Sequence, residues 1–249
     1  MSRSGFVALA GRPNSGKSTL VNWIVGDKVA IVSDKPQTTR REIRGVATGD
    51  GWQLVLVDLP GVQRPRDALT ERMQRQVERA LADADAALFV LNGEQEIGPG
   101  DRFIAEALKR AGVGEVVEQL VSLLPEGPFM YPPDERSDQS LELQLAELIR
   151  EQVLRRTRDE IPHAVEVEVE SIEAREDGIV AIKADVWAES QSQKAILIGK
   201  GGRMVREVGT AARRELEREL ESKVFLDLRV RVREHWRRDE SLLDRLGID

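Results

Sequence analysis

Gly11-Arg12-Pro13-Asn14-Ser15-Gly16-Lys17-Ser18 decides how the first half of this chain must fold, because it completes the spacing GxxxxGK[ST]. Glycines at the fixed positions let the backbone curl tightly enough to aim several N–H groups at phosphate oxygens. Lys17 reaches β- and γ-phosphates, Ser18 is placed to ligate Mg²⁺, and the N-terminus of the following helix adds partial positive charge. At the chain's own residue frequencies, chance would supply only ~0.004 such matches. The context is also right: Gly5–Ala10 reads as a short apolar strand, and a helical pattern starts near Lys17.

Working outward, Ile43–Thr48 and Gln53–Asp58 read as strands joined at Gly49-Asp50-Gly51, an Asp-Gly hairpin signal. Leu69–Ala84 is predicted helical, since Leu69, Met73, Val77 and Leu81 recur on one face. Ala86–Leu91 reads as a buried strand, and Asp101–Ala111 and Gly114–Leu124 as helices. Alternating strands and helices imply an α/β unit with a parallel-type sheet. Asp58-Leu59-Pro60-Gly61 closes the strand before it, which sets Asp58 beside the phosphate loop, where a carboxylate can hold Mg²⁺ through water. Gly61 N–H is placed to contact a γ-phosphate. Asp-x-Pro-Gly alone is an ordinary turn, and its place after the phosphate loop is what gives it meaning. Between them, Lys35-Pro36-Gln37-Thr38-Thr39-Arg40-Arg41 is a polar segment able to order around Mg²⁺ and γ-phosphate through a Thr hydroxyl.

The second half follows a different pattern. Pro125, Gly127, Pro128, Pro132 and Pro133 break the chain, and Tyr131–Ser140 reads as a linker. Helix Leu141–Asp159 leads to strands Val165–Glu170 and Gly178–Trp187. Ala195–Ile198 reads as a third strand, running into Gly199-Lys200-Gly201-Gly202. A long helix with Val205, Val208, Ala212, Leu216 and Leu220 on one side precedes a last strand, Leu226–Arg233. A GxxG turn in an α+β unit of this order is the loop with which KH domains clamp a nucleic-acid backbone, here flanked by Lys200, Arg203 and Arg206. Arg229, Arg231 and Arg233 form one face of the last strand, and such rows are ordinarily solvation, with RNA contact the alternative. His163 and His235 read as surface or packing residues, and Trp187 and Trp236 as core and anchor.

Composition bounds the rest. The 249 residues suffice for two domains, and 37 Lys+Arg against 44 Asp+Glu give a net charge of −7. Cysteine is absent and there are only two histidines, which excludes disulfides, thiolate sites and multi-histidine metal centres. No apolar run approaches a membrane span and no signal peptide is visible at Met1–Gly11, so a soluble, cytoplasmic protein is expected. Overall acidity argues against a general nucleic-acid coat. Yet Lys200 to Arg214 and Arg229 to Arg238 each hold five basic residues and one acidic.

Taken together, GRPNSGKST, KPQTTR, DLPG, YPPDERSDQS, IGKGG and the Trp236–Leu246 segment resemble the Era family of bacterial GTPases over nearly the whole chain. The resemblance implies an α/β P-loop NTPase (Ras-like) domain with a shortened sheet over 1–130, a linker at 131–140, and an α+β type II KH domain over 141–249. It implies GTP/GDP and Mg²⁺ as ligands, with hydrolysis of GTP. Gly11, Arg12, Pro13, Asn14, Ser15, Gly16, Lys17, Ser18 and Thr19 then form the phosphate loop. Thr39, or less favourably Thr38, is the Mg²⁺ ligand of the first nucleotide-responsive segment (switch I). Asp58, Leu59, Pro60 and Gly61 form the second (switch II). Lys17, Thr39 and Gly61 are the implied catalytic groups, and Ser18, Thr39 and Asp58 the implied metal ligands. Gly199, Lys200, Gly201, Gly202, Arg203 and Arg206 are the implied RNA contacts. Implied partners are the 3′ end of small-subunit ribosomal RNA and the small ribosomal subunit during its assembly. A monomer with some peripheral contact at the inner membrane face is expected. Ser15 stands where the family more often has Val. Val62 occupies the place of the water-positioning glutamine of Ras-type enzymes, so slow hydrolysis is expected.

One departure cuts against the family pattern. Guanine is recognised by an Asn-Lys-x-Asp motif and a supporting SAL or SAK loop, but none of Asn14, Asn22 and Asn92 precedes a lysine and neither triplet occurs. About two strands and a helix, on the order of 50 residues, are missing between Gly112 and the helix that starts at Gly114. The strand AALFVL then becomes an exposed apolar edge of a sheet ordered 2-3-1-4. The expected chemistry is phosphate binding without reliable guanine specificity, because base discrimination needs buried donors and acceptors aimed at the base edge. Two readings stay open: an Era-type GTPase and ribosome-assembly factor, or a KH-domain RNA-binding protein whose G domain has lost guanine specificity or nucleotide binding.

Overall fold

The structure, a computed structural model, describes residues 2–35, 37–61, 65–92 and 116–248. Contacts divide the chain into Met1–Gln139 with Leu243–Asp249, and Ser140–Leu242. The expected helix Asp101–Ala111, the first residues of the Gly114–Leu124 helix and Val62 lie outside the described residues.

In the first unit, β1 (Arg3–Ala10) is the central strand, with Val7, Ala8 and Leu9 fully buried. It runs parallel to β3 (Trp52–Asp58) on one side and to β4 (Ala86–Phe89) on the other. β2 (Ile43–Gly49) pairs antiparallel with β3 through the expected hairpin, so the sheet is mixed and its order is β2-β3-β1-β4. Helix α1 (Lys17–Val25) follows the Gly-rich turn. Helix α2 (Ala68–Asp83) begins at a capping box in which Asp67 accepts from Thr70 N. Its Leu69, Met73 and Val77 are buried, as their spacing predicts. Helix α3 (Val116–Leu123) packs Leu120 and neighbouring Leu124 against Val7, Leu9 and Leu88. β4 is shorter than the expected Ala86–Leu91: Val90 N still donates to Ala10 O, but Leu91 is 45% exposed. Among the described residues β4 is the outer strand of this sheet.

The segment expected as a linker belongs to the first unit. Arg136 O accepts from Val46 N at 2.9 Å and Ser137 bridges Gly45, which extends the β2 edge. Gln53, fully buried, accepts from Met130 N and Tyr131 N at 2.8 and 3.0 Å and donates to Tyr131 O at 2.9 Å. Pro132 and Pro133 disfavour helix and strand here, and the buried Gln53 amide together with the Val46–Arg136 bond docks the segment. The boundary therefore falls at Gln139–Ser140, and residues 243–249 return to the first unit.

The second unit opens with α4 (Leu141–Arg156), capped by Ser140, whose side chain accepts from Leu143 N. The helix ends three residues short of the expected Asp159, and a short α5 (Ile161–Ala164) with Pro162 in its first turn follows. β5 (Glu166–Ala174) pairs antiparallel with β6 (Val180–Ala188), which runs parallel to β7 (Val224–Val232). Between β6 and β7 lie α6 (Gln191–Ile198), the GxxG turn and α7 (Arg203–Glu219). The expected third strand Ala195–Ile198 is thus the end of a helix. Ser190 caps it by accepting from Gln193 N, and a four-residue apolar run cannot by itself distinguish the two states. Leu145, Ile149, Val167, Ile182, Val186, Val208, Ala212 and Leu216 form the core between helices and sheet. Trp236 is fully buried and donates to Ala164 O at 2.9 Å, the anchor expected of it. Among the described residues no helix is long and apolar enough to cross a membrane.

Candidate functional site

The phosphate loop turns where β1 ends. A Cβ on Gly11 would lie 2.5 Å from Val90 O and 2.6 Å from Ser15 Oγ, so only glycine fits there. Asn14 takes a positive φ of 61° and donates from Nδ2 to Asp34 O at 2.7 Å, tying the loop to the strap before Lys35. Gly16 at φ 97° starts α1 with no side-chain cap, so the first N–H groups of the helix remain free for an anion. Ser15 Oγ is buried without a hydrogen-bond partner, a polar atom aimed into the same loop. Residues 13–19, 31–33 and 37–39 line one cleft.

Lys17 is buried, and its Nζ donates to Gly11 O at 3.3 Å and Arg12 O at 3.2 Å. Burial pushes its pKa down, and the Asp58 carboxylate partly restores it. Asp58 is fully buried at the end of β3: Oδ2 accepts from Ser18 Oγ at 2.6 Å and from Thr39 Oγ1 at 3.3 Å. Ser18 and Thr39 hydroxyls lie 3.1 Å apart. Burial raises the Asp58 pKa, opposed by Lys17 and the two hydroxyls. Asp58 Oδ1 is buried with no partner. Two hydroxyls and one carboxylate, with one of its oxygens orphaned, are a donor set for a hard divalent cation whose remaining ligands would come from phosphate and water.

The structure also separates the two threonines. Thr38 Oγ1 turns back to donate to Lys35 O at 2.6 Å, whereas Thr39 joins Asp58 and Ser18. A Cβ on Gly61 would meet Pro13 Cγ at 2.7 Å and Pro13 N at 2.8 Å, so the second segment presses against the phosphate loop. Leu59 differs from expectation: it is fully buried, packed with Val57 and Val77, because it continues the strand's inward face. Pro60 is buried as well.

In the second unit, Gly199, Gly201 and Gly202 adopt φ of 72°, 60° and 75°, a turn that side chains would strain. Lys200 is exposed at its tip. Arg206 bolts the turn in place, its guanidinium donating to Gly202 O at 3.1 Å and to Gly201 O. Arg203 is exposed and lies 3.7 Å from Glu207. Beside the turn Ile196 is 53% exposed, an apolar surface that its place within an AILI run conceals. A groove of about 430 Å³ lies along α7, lined by Arg156, Arg203, Arg206, Thr210 and Arg214 among others. Arg156 and Arg214 escaped sequence reasoning, although the spacing Arg203, Arg206, Thr210, Arg214 marks a single helical stripe.

The arginine row of β7 is neutralised within the fold. Arg229 and Arg231 both pair with Glu170 and Asp185, with Arg231 Nε 2.7 Å from Asp185 Oδ2, and Arg233 pairs with Asp239. Lys183 reaches Glu170 at 2.9 Å. Trp187 Nε1 donates to Glu168 at 3.0 Å on β5. This is an ionic sheet face, in which the row expected to be merely solvated is paired within the fold.

Comparison with known proteins agrees with both halves. Residues 6–120 match the family described as "50S ribosome-binding GTPase", and residues 160–237 match the KH domain. GTPase Era of Mycobacterium tuberculosis is 41% identical over 294 aligned positions, covering 98% of each chain. Since this chain has 249 residues, at least 45 of those 294 positions have no counterpart in it. An Aquifex aeolicus Era variant bound to GDP·AlF₄⁻ superposes with a TM-score of 0.94 at 29% identity, covering 99% of each chain. Era in complex with MgGDPNP and nucleotides 1506–1542 of 16S ribosomal RNA superposes at 0.88 and 30% identity, covering 100% of this chain and 99% of that one. With a P-loop GTPase domain followed by a KH domain, and this identity along nearly its full length, the chain belongs to the Era family.

Proposed function

We propose that this protein binds and hydrolyses GTP and clamps the 3′ end of small-subunit ribosomal RNA during assembly of the small subunit. The observation that carries it is the gathering of Ser18, Thr39 and Asp58 oxygens within 3.3 Å of one another at the uncapped start of α1. That one Era structure similar to this chain holds MgGDPNP and nucleotides 1506–1542 of 16S ribosomal RNA supports the same ligands here. The proposed site is Gly11 to Thr19, Thr39, Asp58 and Gly61, with Gly199 to Arg203 and Arg206 on RNA.

Ser18 and Thr39, with Asp58 behind, would hold Mg²⁺, which would supply positive charge to offset that of the phosphates. Lys17 exchanges its two carbonyl contacts for phosphate oxygens and stabilises the charge that develops in the transition state. The free N–H groups of α1 hold the phosphate chain, and Gly61 N–H, next to the loop, orients the γ-phosphate end. Loss of that phosphate frees Thr39 and its segment. On RNA, the GxxG turn brings backbone close to backbone without side-chain interference. We place the protein in the cytoplasm as a monomer with peripheral contact at the inner membrane face, in line with the family resemblance.

A second reading concerns the base. The chain contains no Asn-Lys-x-Asp and no SAL or SAK triplet, so nothing familiar is left to read a guanine edge. On this reading the site takes nucleoside triphosphates by their phosphates alone. Titration with a fluorescent GTP analogue, competed by GTP, ATP and XTP with and without Mg²⁺, separates the two. Selective competition by GTP establishes the first. Equal competition by all three establishes the second, and absence of Mg²⁺-dependent binding removes both.

A further inference from the structure

Arg41 lies two residues after Thr39 and is buried, with 3% of its surface exposed. Its Nε donates to Leu246 O at 2.6 Å, across 205 positions of sequence. On α2, the helix that follows Gly61, Arg72 Nη1 donates to Asp244 Oδ1 at 2.6 Å and to Ile248 O at 2.7 Å. Leu243, Leu246 and Ile248 are themselves buried. Gly247 lines a cavity with Glu42, just after the first segment, Arg44 of β2, and Gln76 and Arg79 of α2. One short piece of chain thus contacts both elements that flank the triphosphate site. Two of its three acceptors are main-chain oxygens, which line up only in one backbone conformation.

We propose that residues 243–248 are a positioning strap for the nucleotide site, holding Thr39 through Arg41, and the Gly61 turn through Arg72, in the arrangement that receives a γ-phosphate. The proposal rests on the triphosphate-site reading above. Coupling of this kind is reciprocal: whatever the strap adds to triphosphate affinity, bound triphosphate adds to the seating of the strap. A diphosphate has no group to engage Thr39, so its affinity is insensitive to the strap. That asymmetry distinguishes positioning from general stabilisation, which would act on both nucleotides alike.

The test compares the intact protein with a form ending at Leu242 and with Arg72→Gln, Asp244→Asn and the conservative Arg72→Lys. Affinities for a non-hydrolysable GTP analogue and for GDP are measured in saturating Mg²⁺. The expected result is about a tenfold loss for the triphosphate in the shortened form and in Arg72→Gln, partial recovery in Arg72→Lys, and GDP affinity unchanged within about twofold. Equal losses for both nucleotides, or no loss for the triphosphate, overturn the proposal. Should the shortened form not fold, the Arg72 and Asp244 variants decide by the same criterion. If the intact protein binds neither nucleotide, the triphosphate-site reading fails and the strap fails with it. Normal binding by the intact protein with uniform losses in the variants overturns the strap alone.

Discussion

Ser18 Oγ donates a 2.6 Å hydrogen bond to Asp58 Oδ2, joining the first turn of α1 to the last residue of β3. Two elements 40 positions apart in sequence are locked at the proposed meeting point of phosphate and metal. Asp58 has no exposed surface and a second oxygen with no partner among the described residues, and Lys17 and the two hydroxyls oppose the cost of burying its charge. Replacing Asp58 with Asn keeps the shape and removes the charge. The gain in triphosphate affinity on adding Mg²⁺ is expected to shrink at least tenfold, about 1.4 kcal/mol. Nucleotide titration at several Mg²⁺ concentrations checks this, and an unchanged Mg²⁺ response would count against Asp58 as part of the metal site.

Gly11→Ala is expected to abolish triphosphate binding while the protein stays folded. The added methyl would sit 2.5 Å from Val90 O, so the loop or the end of β4 must move. Overpacking of this kind costs about 1–3 kcal/mol of stability. Thermal unfolding and nucleotide binding read the two effects separately, and retained binding would show that the loop tolerates the shift.

The GxxG turn offers a matching test on the RNA side. Gly202→Asp adds negative charge and strain at φ 75° where a phosphate backbone must approach. Affinity for an RNA ending in the small-subunit 3′ sequence is expected to fall more than about tenfold, with nucleotide affinity unchanged. Gel-shift and filter-binding titrations at fixed salt measure it. RNA binding left intact would move the interface elsewhere, for example to the Arg156–Arg214 groove.

Arg150 is fully buried and bonds Glu147 at 2.7 and 3.0 Å, with Glu166 at 3.6 Å. Arg150→Ala removes the guanidinium that bonds these buried carboxylates, and a loss of about 3–5 kcal/mol is expected in denaturant unfolding. A loss below about 1 kcal/mol would show that water replaces the guanidinium.

The ionic face of the second sheet carries a pH dependence of defined sign. Burial, and then the adjoining Glu170, push the Asp185 carboxyl up to about 6 from its ordinary 3.8. The folded state therefore holds a proton that the unfolded chain releases between those limits. This group's contribution favours folding at low pH and is lost as pH rises through 6. Glu170, held at about 2 first by Lys183, acts oppositely, and only below its ordinary value of 4.5. Between pH 4.5 and 6 Glu170 no longer opposes the Asp185 effect. Lowering pH from 7 to 5 is expected to raise the denaturant midpoint relative to Asp185→Asn. A carboxyl carbon titrating near 4 by NMR would refute it.

Much of the nucleotide site was legible because its geometry is local. Gly11, Gly16, Lys17 and Ser18 act through one turn, and a turn is specified by residues a few positions apart. The buried spacing of α2 and the β2–β3 hairpin were legible for the same reason. The run Ala195–Ile198 was not, since four apolar residues suit a strand or the end of a capped helix equally. The segment from Tyr131 to Gln139 carries linker composition yet is docked by Gln53, a partner more than 70 positions away.

By itself the sequence determined that a phosphate loop opens the first unit, that a GxxG turn sits in the second, and that the usual guanine-reading motif is absent. Each follows from residue types at short, fixed spacing, or from their lack, and needs no knowledge of distant neighbours. Only the tertiary structure decided that Thr39 and not Thr38 faces Asp58, that Arg229 and Arg231 are paired by Glu170 and Asp185, and that residues 243–249 return to the first unit. In each case the deciding partner lies at least 19 positions away, beyond any local periodicity. Burial then makes the pairing obligatory, because a charge or hydroxyl removed from water must find its partner wherever the chain brings one.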